Sequence, residues 1–190
     1  MNMTQPITLR FSVRHIEPSI WRDLRVPADL PLEKLHIVIQ ILFDWTDSHL
    51  WQFEVGKNVY GLPNPDDDFA PPGGSFAAAK GKRLNDVLAG KKKFLYLYDF
   101  GDDWCIDIAV RANAKSPEGS GLLCLGGARA GPPDDIGGVH GYMHICDVLA
   151  DPGHEEHDGM LEWIDEGWDA EHFDLAEMNR RLKRAFPKLQ

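Results

Sequence analysis

The stretch Ile7-Thr8-Leu9-Arg10-Phe11-Ser12-Val13-Arg14 decides the fold. Ile7, Leu9, Phe11 and Val13 share one side of an extended chain, and Thr8, Arg10, Ser12 and Arg14 share the other. This period of two belongs to a half-buried strand spanning residues 6–15. Pro18 and Ser19 mark a turn, and Ile20 to Val26 reads as a second strand, so the chain opens with a β-hairpin. Pro31 suits the first turn of a helix, where its missing N–H costs nothing. Leu32, Leu35, Ile39 and Leu42 follow at helical spacing and predict a helix over 31–44.

The same two periods recur downstream. Strands are predicted at 49–55, with Trp51, Phe53 and Val55 on one side, and at 58–62. Leu84 to Leu88 reads as one or two helical turns. Residues 93–99 alternate Phe94, Tyr96 and Tyr98 with Leu95 and Leu97, which predicts a strand buried on both sides. Trp104, Ile106, Ile108 and Val110 predict its hairpin partner at 104–110. Helices are expected at 141–150, 158–166 and 174–186. The last has a capping box, Asp174 with Glu177, and an apolar stripe of Leu175, Met178, Leu182 and Phe186.

Residues 63–80 hold Pro63, Pro65, Pro71, Pro72 and the aspartates 66–68, and residues 112–140 are rich in glycine and proline. Both are expected to be irregular loops. Strands early and helices late imply an α+β fold, an antiparallel sheet of hairpins with helices packed on it. At 190 residues and 21.4 kDa, residues 1–190 are expected to form a single compact domain.

Composition narrows the function classes. The 43% hydrophobic content supports a core that needs no disulfide. The net charge of −10 disfavours a nucleic-acid partner, which requires a basic face. The acidity is concentrated after residue 95. Three cysteines, Cys105, Cys124 and Cys146, form no CxxC pair, which fits a reducing cytoplasm. The N-terminus lacks a basic stretch followed by an apolar run, so neither a signal peptide nor the Asn2-Met3-Thr4 sequon has force. The apolar run Leu35–Phe43 is too short to span a bilayer, and no membrane association is expected.

Two clusters carry the chemistry. Tyr98-Asp99-Phe100-Gly101-Asp102-Asp103-Trp104 places three carboxylates at a hairpin turn. Asp and Gly favour turns, and several carboxylate oxygens also suit a hard cation. The second runs from Gly126 to Gly138 through Arg129 and Pro132-Pro133-Asp134-Asp135, either as a rigid capped loop or as an anion cradle. Candidate ligand-binding residues are therefore Asp99, Asp102, Asp103, Trp104, Arg129, Asp134, Asp135 and Tyr142, and a divalent cation is the cofactor they would take. His140 and His144, spaced i, i+4, are secondary metal candidates. No serine occupies a GxSxG elbow, and Cys105 and Cys146 read as packed thiols.

Ile16-Glu17-Pro18, Trp21-Arg22, Val26-Pro27, Leu35-His36, Trp45 and His49-Leu50 with Phe53 form the opening of a longer pattern. Tyr98 to Trp104, Pro132-Pro133-Asp134-Asp135, Gly137-Gly138, Gly141-Tyr142, Phe173-Asp174 and Asn179 complete it. Together they resemble the plasmid pRiA4b ORF-3-like family across nearly the whole chain. That resemblance implies a compact α+β domain of bacterial and archaeal, often plasmid-borne, proteins, many labelled transposon resolvase (TnpR) passengers. The sequence departs from the family where Cys105-Ile106 replace a usual Glu-His and where Gly131 replaces a cysteine before the proline pair.

Three functions follow as expectations. A non-enzymatic binding or interaction module, with a protein or small-molecule partner, leads because no catalytic constellation is assembled. A cation-dependent enzyme would need the Asp99 hairpin and the Asp134 loop to meet. A plasmid or transposon accessory rests on family labels and on the basic cluster Arg180, Arg181, Lys183 and Arg184.

Overall fold

The structure, a computed structural model, describes residues 5–63, 73–111, 119, 121–164 and 167–189. The opening hairpin forms as the alternation predicts: β1 (Ile7–Val13) pairs antiparallel with β2 (Trp21–Val26), Leu9 opposite Leu24 and Phe11 opposite Arg22. Then come α1 (Leu32–Phe43), β3 (Trp51–Val55), β4 (Asn58–Gly61), β5 (Ser75–Ala78), α2 (Leu84–Leu88), β6 (Lys93–Tyr98) and β7 (Trp104–Arg111). The chain continues through β8 (Leu123–Ala128), α3 (Gly138–Ala150), α4 (His157–Trp163) and α5 (Leu175–Ala185). The strands form one sheet in the order β5-β4-β3-β6-β7-β1-β2-β8, antiparallel except where β5 runs parallel to β4.

The inward row of this sheet is the core. Leu9, Phe11, Leu24, Phe53, Tyr96, Ile106 and Ile108 are essentially inaccessible and pack with Leu35, Ile39 and Phe43 of α1 in one cluster. Burying one such side chain contributes about 1.5–3 kcal/mol. The fold is therefore α+β, as expected, but three local expectations are corrected.

Residues 75–78 are a strand rather than loop, although residues 64–72, with the aspartates 66–68, lie outside the described residues. Residues 123–128 are also a strand, and α3 starts at Gly138, not 141; residues 112–118 and 120 lie outside the described set. Finally, β6 is buried on one side only. Phe94, Tyr96 and Tyr98 are buried, whereas Leu95 and Leu97 are half-buried on the outer face.

Candidate metal centre

Three connections meet at one end of the sheet: 44–50 between α1 and β3, the turn 99–103 between β6 and β7, and the loop 129–137 between β8 and α3. The first leaves α1 through Asp44, a left-handed C-cap with φ 64°. Trp45 then turns into the core and stacks on Tyr98 with ring centres 4.7 Å apart. Its indole N–H donates to the carbonyl of Pro132 at 3.0 Å. Next to it, the Thr46 amide and hydroxyl both donate to Asp134 Oδ2, at 2.9 and 2.7 Å. The first connection and the loop are thus clamped by three hydrogen bonds. Asp134 Oδ1 is buried with no hydrogen-bond partner among the described residues.

The hairpin turn is equally determined. Asp99 adopts φ 56°, donates its amide to Leu50 O at 2.9 Å and accepts from the Asp103 amide at 2.7 Å. Its Oδ1 is taken by the Gly101 amide at 2.9 Å, which leaves Oδ2 for another partner. Asp102 reaches across to the loop, accepting from the Gly137 amide at 3.0 Å. The two backbones come so close that a Cβ on Gly138 would lie 2.4 Å from Asp102 O, and Gly138 has φ 67°. Only glycine meets both conditions without strain.

These ties bring His49, Asp99 and Asp135 together. His49 Nε2 lies 3.1 Å from Asp135 Oδ1 and 3.6 Å from Asp99 Oδ2, with its ring edge-on to Tyr98. One donor atom from each residue falls within 4.8 Å of the others. His49 Nε2 is itself buried and has no hydrogen-bond partner among the described residues. Asp99 is 12% exposed at its side chain and Asp135 72%, so the group is closed beneath and open above. Asp135 also walls an open recess with Ile136, Glu155, Met160 and Trp163, so an ion here would be reachable from solvent. One imidazole and two carboxylates suit a first-row divalent ion such as Mn²⁺, Fe²⁺ or Zn²⁺. Such an ion, bonded at about 2.0–2.2 Å, sets neighbouring donors roughly 3–3.6 Å apart, and His49 Nε2 already stands at that separation from both carboxylates.

Of the residues expected from sequence, Asp99 and Asp135 enter this group, while Asp102 and Asp134 hold its loops. Asp103 is exposed and lies 3.8 Å from Cys105 Sγ. Trp104 is 1% exposed and packs as core beside Trp45. Arg129, buried, joins Glu171 at 2.8 Å and the carbonyl of Pro18 at 2.7 Å. Tyr142 is buried edge-on to Trp168, and burial pushes its hydroxyl well above the usual tyrosine range. His140 and His144 are exposed on α3, and His144 pairs with Glu156 at 3.0 Å rather than joining a three-donor group. The residue that sequence reasoning missed is His49, whose only signal was its place in the family pattern.

A family model described as plasmid pRiA4b ORF-3-like protein matches residues 5–177. The chain belongs to this family. Uncharacterized protein y4hQ of Sinorhizobium fredii is 34% identical over 178 residues, covering 93% of this chain and 90% of the relative. The crystal structure of Protein of Unknown Function MM3350 from Methanosarcina mazei Go1 is 31% identical, with a TM-score of 0.77. That match covers 92% of this chain and 98% of the other. Neither relative's name states an activity. Within this pRiA4b ORF-3-like chain, the two departures from the family pattern have structural readings. Ile106 faces the core with no exposure, while Cys105 lies on the outer face. Gly131 passes so near the end of α1 that a Cβ would lie 1.9 Å from Phe43 O, so a cysteine here would force the loop outward.

Proposed function

We propose that this chain is a binding module of one domain whose ligand includes a divalent cation held by His49, Asp99 and Asp135. The observation that carries the proposal is the buried His49 Nε2, which lacks a hydrogen bond among the described residues yet faces two carboxylates delivered by separate loops that are braced against one another. Buried nitrogen atoms are ordinarily satisfied, and a shared cation would satisfy all three groups together.

The state of the thiols argues against cysteine nucleophilic chemistry and leaves a cation-dependent reaction at the same three residues as the second reading. Burial pushes Cys105 and Cys124 up to about 11 and raises Cys146, so none is a thiolate nucleophile at neutral pH. All three cysteines are free, in keeping with a reducing cytoplasm. No helix among the described residues is long and apolar enough to cross a membrane. An accessory role on a plasmid or transposon draws less support. In the basic cluster, Arg180 is engaged by Glu177 and Arg181 by Asp44, which leaves Lys183 and Arg184 as a small basic patch.

The test is isothermal titration of metal-stripped protein with Mn²⁺, Zn²⁺ and Mg²⁺, paired with melting curves. One equivalent bound, with a melt that rises on binding, is the expected result. Asp135→Asn should abolish it, and Asp107→Asn, which touches only the Arg14 pair on the outer sheet face, should not. Absence of binding and of any melting shift with all three ions would overturn the proposal.

A further inference from the structure

In β2 the inward row that carries Leu24 and Val26 is occupied at its start by Arg22, a position where the pattern calls for an apolar side chain. Arg22 is 2% exposed. Its Nε–H donates to Leu42 O at 3.1 Å, Nη1 to Trp21 O and Ala128 O, both at 2.8 Å, and Nη2 to Arg129 O at 2.7 Å. A guanidinium has five N–H donors, so these bonds engage four of them. Among the described residues no carboxylate lies within ion-pair distance. Buried charges are ordinarily met by an opposite charge, and carbonyl dipoles are only a partial substitute. Burial lowers the Arg22 guanidinium to about 10, which still leaves it charged at neutral pH.

Arg22 lines a cavity of about 450 Å³ between the end of α1, the loop 129–137 and the segment leading into α5. That is within the range of small-molecule sites, roughly 300–1,000 Å³. Its lining is mixed, with Thr46, His172 and Arg181 among the polar residues and three flat aromatic rings, Phe43, Trp168 and Phe173, the last 4.6 Å from the Arg22 guanidinium carbon. Gly127 makes room for this arrangement, since a Cβ there would lie 2.6 Å from the Phe173 ring and 2.8 Å from Arg22 Cδ. Each of the four lining carboxylates has a partner of its own, although one oxygen, Asp134 Oδ1, is buried without one among the described residues. Asp44 pairs with Arg181, Asp134 takes Thr46, Asp174 caps α5 through the Glu177 amide, and Glu177 pairs with Arg180.

We propose that this cavity binds a small organic carboxylate with a flat apolar body, its anionic group matched to Arg22 and its body lying against Trp168 and Phe173. The ligand would supply the countercharge that the described residues do not.

The test is calorimetry on the intact, metal-stripped chain, so that the cation centre takes no part. The probes are 3-phenylpropionate and its neutral amide, 3-phenylpropionamide. The acid should bind about tenfold or more tighter than the amide, the scale of one charge-assisted hydrogen bond. Arg22→Gln should erase that preference, and Trp168→Ala should weaken both probes together. Because Arg22→Gln removes a buried anchor and could unfold the chain, Trp168→Ala stands as an independent arm. The proposal is overturned if acid and amide bind alike, if neither binds, or if Trp168→Ala leaves both affinities unchanged.

Discussion

His36 and His49 each sit beside an aspartate and a tyrosine, on connected segments of the same chain, and yet their surroundings differ in kind. Around His36 every polar atom has a partner. Nδ1 meets Tyr96 Oη at 2.7 Å and Nε2 meets Asp47 Oδ1 at 2.7 Å. The Gln40 amide donates to Tyr96 Oη at 3.0 Å, and the Asp47 amide donates to Gln40 Oε1 at 2.9 Å. With the proton on Nε2, donors and acceptors match around the whole chain of bonds. The ring also stacks on Trp51 with centres 4.1 Å apart. Around His49 the loops are just as firmly tied, but the tie ends at the ring, and Nε2 is left between two carboxylates with no hydrogen bond among the described residues. A closed network of this sort belongs to the fold, and a group with buried capacity left over is where a ligand belongs.

The comparison breaks most visibly on the closed side. His36→Ala removes a stacked, fully bonded side chain from the core and takes away the acceptor of the Tyr96 hydroxyl, which keeps its bond from Gln40. Cavity and hydrogen-bond losses together put the expected cost at about 3–5 kcal/mol, read as a lower urea midpoint with an unchanged slope. Cation affinity should stay near that of the wild type wherever the protein is folded. A loss below about 1 kcal/mol would show that the closed network is ornamental to stability.

The open side should respond in the opposite way. His49→Ala is expected to leave stability within about 1 kcal/mol of the wild type, because no hydrogen bond is lost. It should weaken Mn²⁺ or Zn²⁺ binding on the order of a hundredfold, at or beyond the upper end of what outer-shell losses cost. Equal loss of stability at both histidines would erase the distinction between them.

A smaller effect tests whether the loops, and not only the ligands, make the open site. Asp102→Ala takes away the acceptor of the Gly137 amide and leaves all three candidate ligands in place. Asp135 would then lose one of its restraints, and the expected result is roughly a tenfold weaker cation affinity. An unchanged affinity would mean that the Pro132–Asp135 turn and the Thr46 clamp suffice.

How far these two clusters could be read in advance follows from the range of the contacts involved. The alternation in Ile7–Val13 fixed the hairpin because its partner lies just beyond one turn. Ser75–Ala78 escaped notice because it is short, lacks alternation and pairs parallel to β4 across a long connection. Leu123–Ala128 reads as loop in sequence because it lies in a glycine- and proline-rich stretch with few periodic residues. Gly127 is there to let Phe173 approach Arg22, a packing demand that a local pattern cannot express. Asp99 and Asp135 were legible as carboxylates in turns, and their convergence was a condition that the geometry meets. His49 was not, since it reaches the site from a connection far from both in sequence, and a lone histidine after a helix carries no local sign of its neighbours.

The subtlest expected effect concerns protons. Burial lowers His36 below the ordinary histidine value, and this outweighs the opposing pull of Asp47. In the unfolded chain the imidazole returns to about 6.5. Between the two values the unfolded state holds the extra proton, so stability must fall as pH falls through that interval. The contribution is fully present above about pH 6.5 and fades below it. The groups facing the ring are Asp47, Tyr96 and Gln40. Tyr96 is held neutral by its burial, which leaves Asp47 as the one charged neighbour among them. Asp107 and Asp174, both held below the usual carboxylate range, by the Arg14 side chain and by the Glu177 amide respectively, lose their contributions only at lower pH, below about 3.9. The two windows are therefore separable. Urea unfolding of the wild type should show a declining free energy from about pH 7 to pH 5, and His36→Gln, though less stable throughout, should show a flatter profile over the same interval. Parallel profiles would mean that the ring exchanges its proton as freely in the folded chain as in the unfolded one, and the closed network would then be open after all.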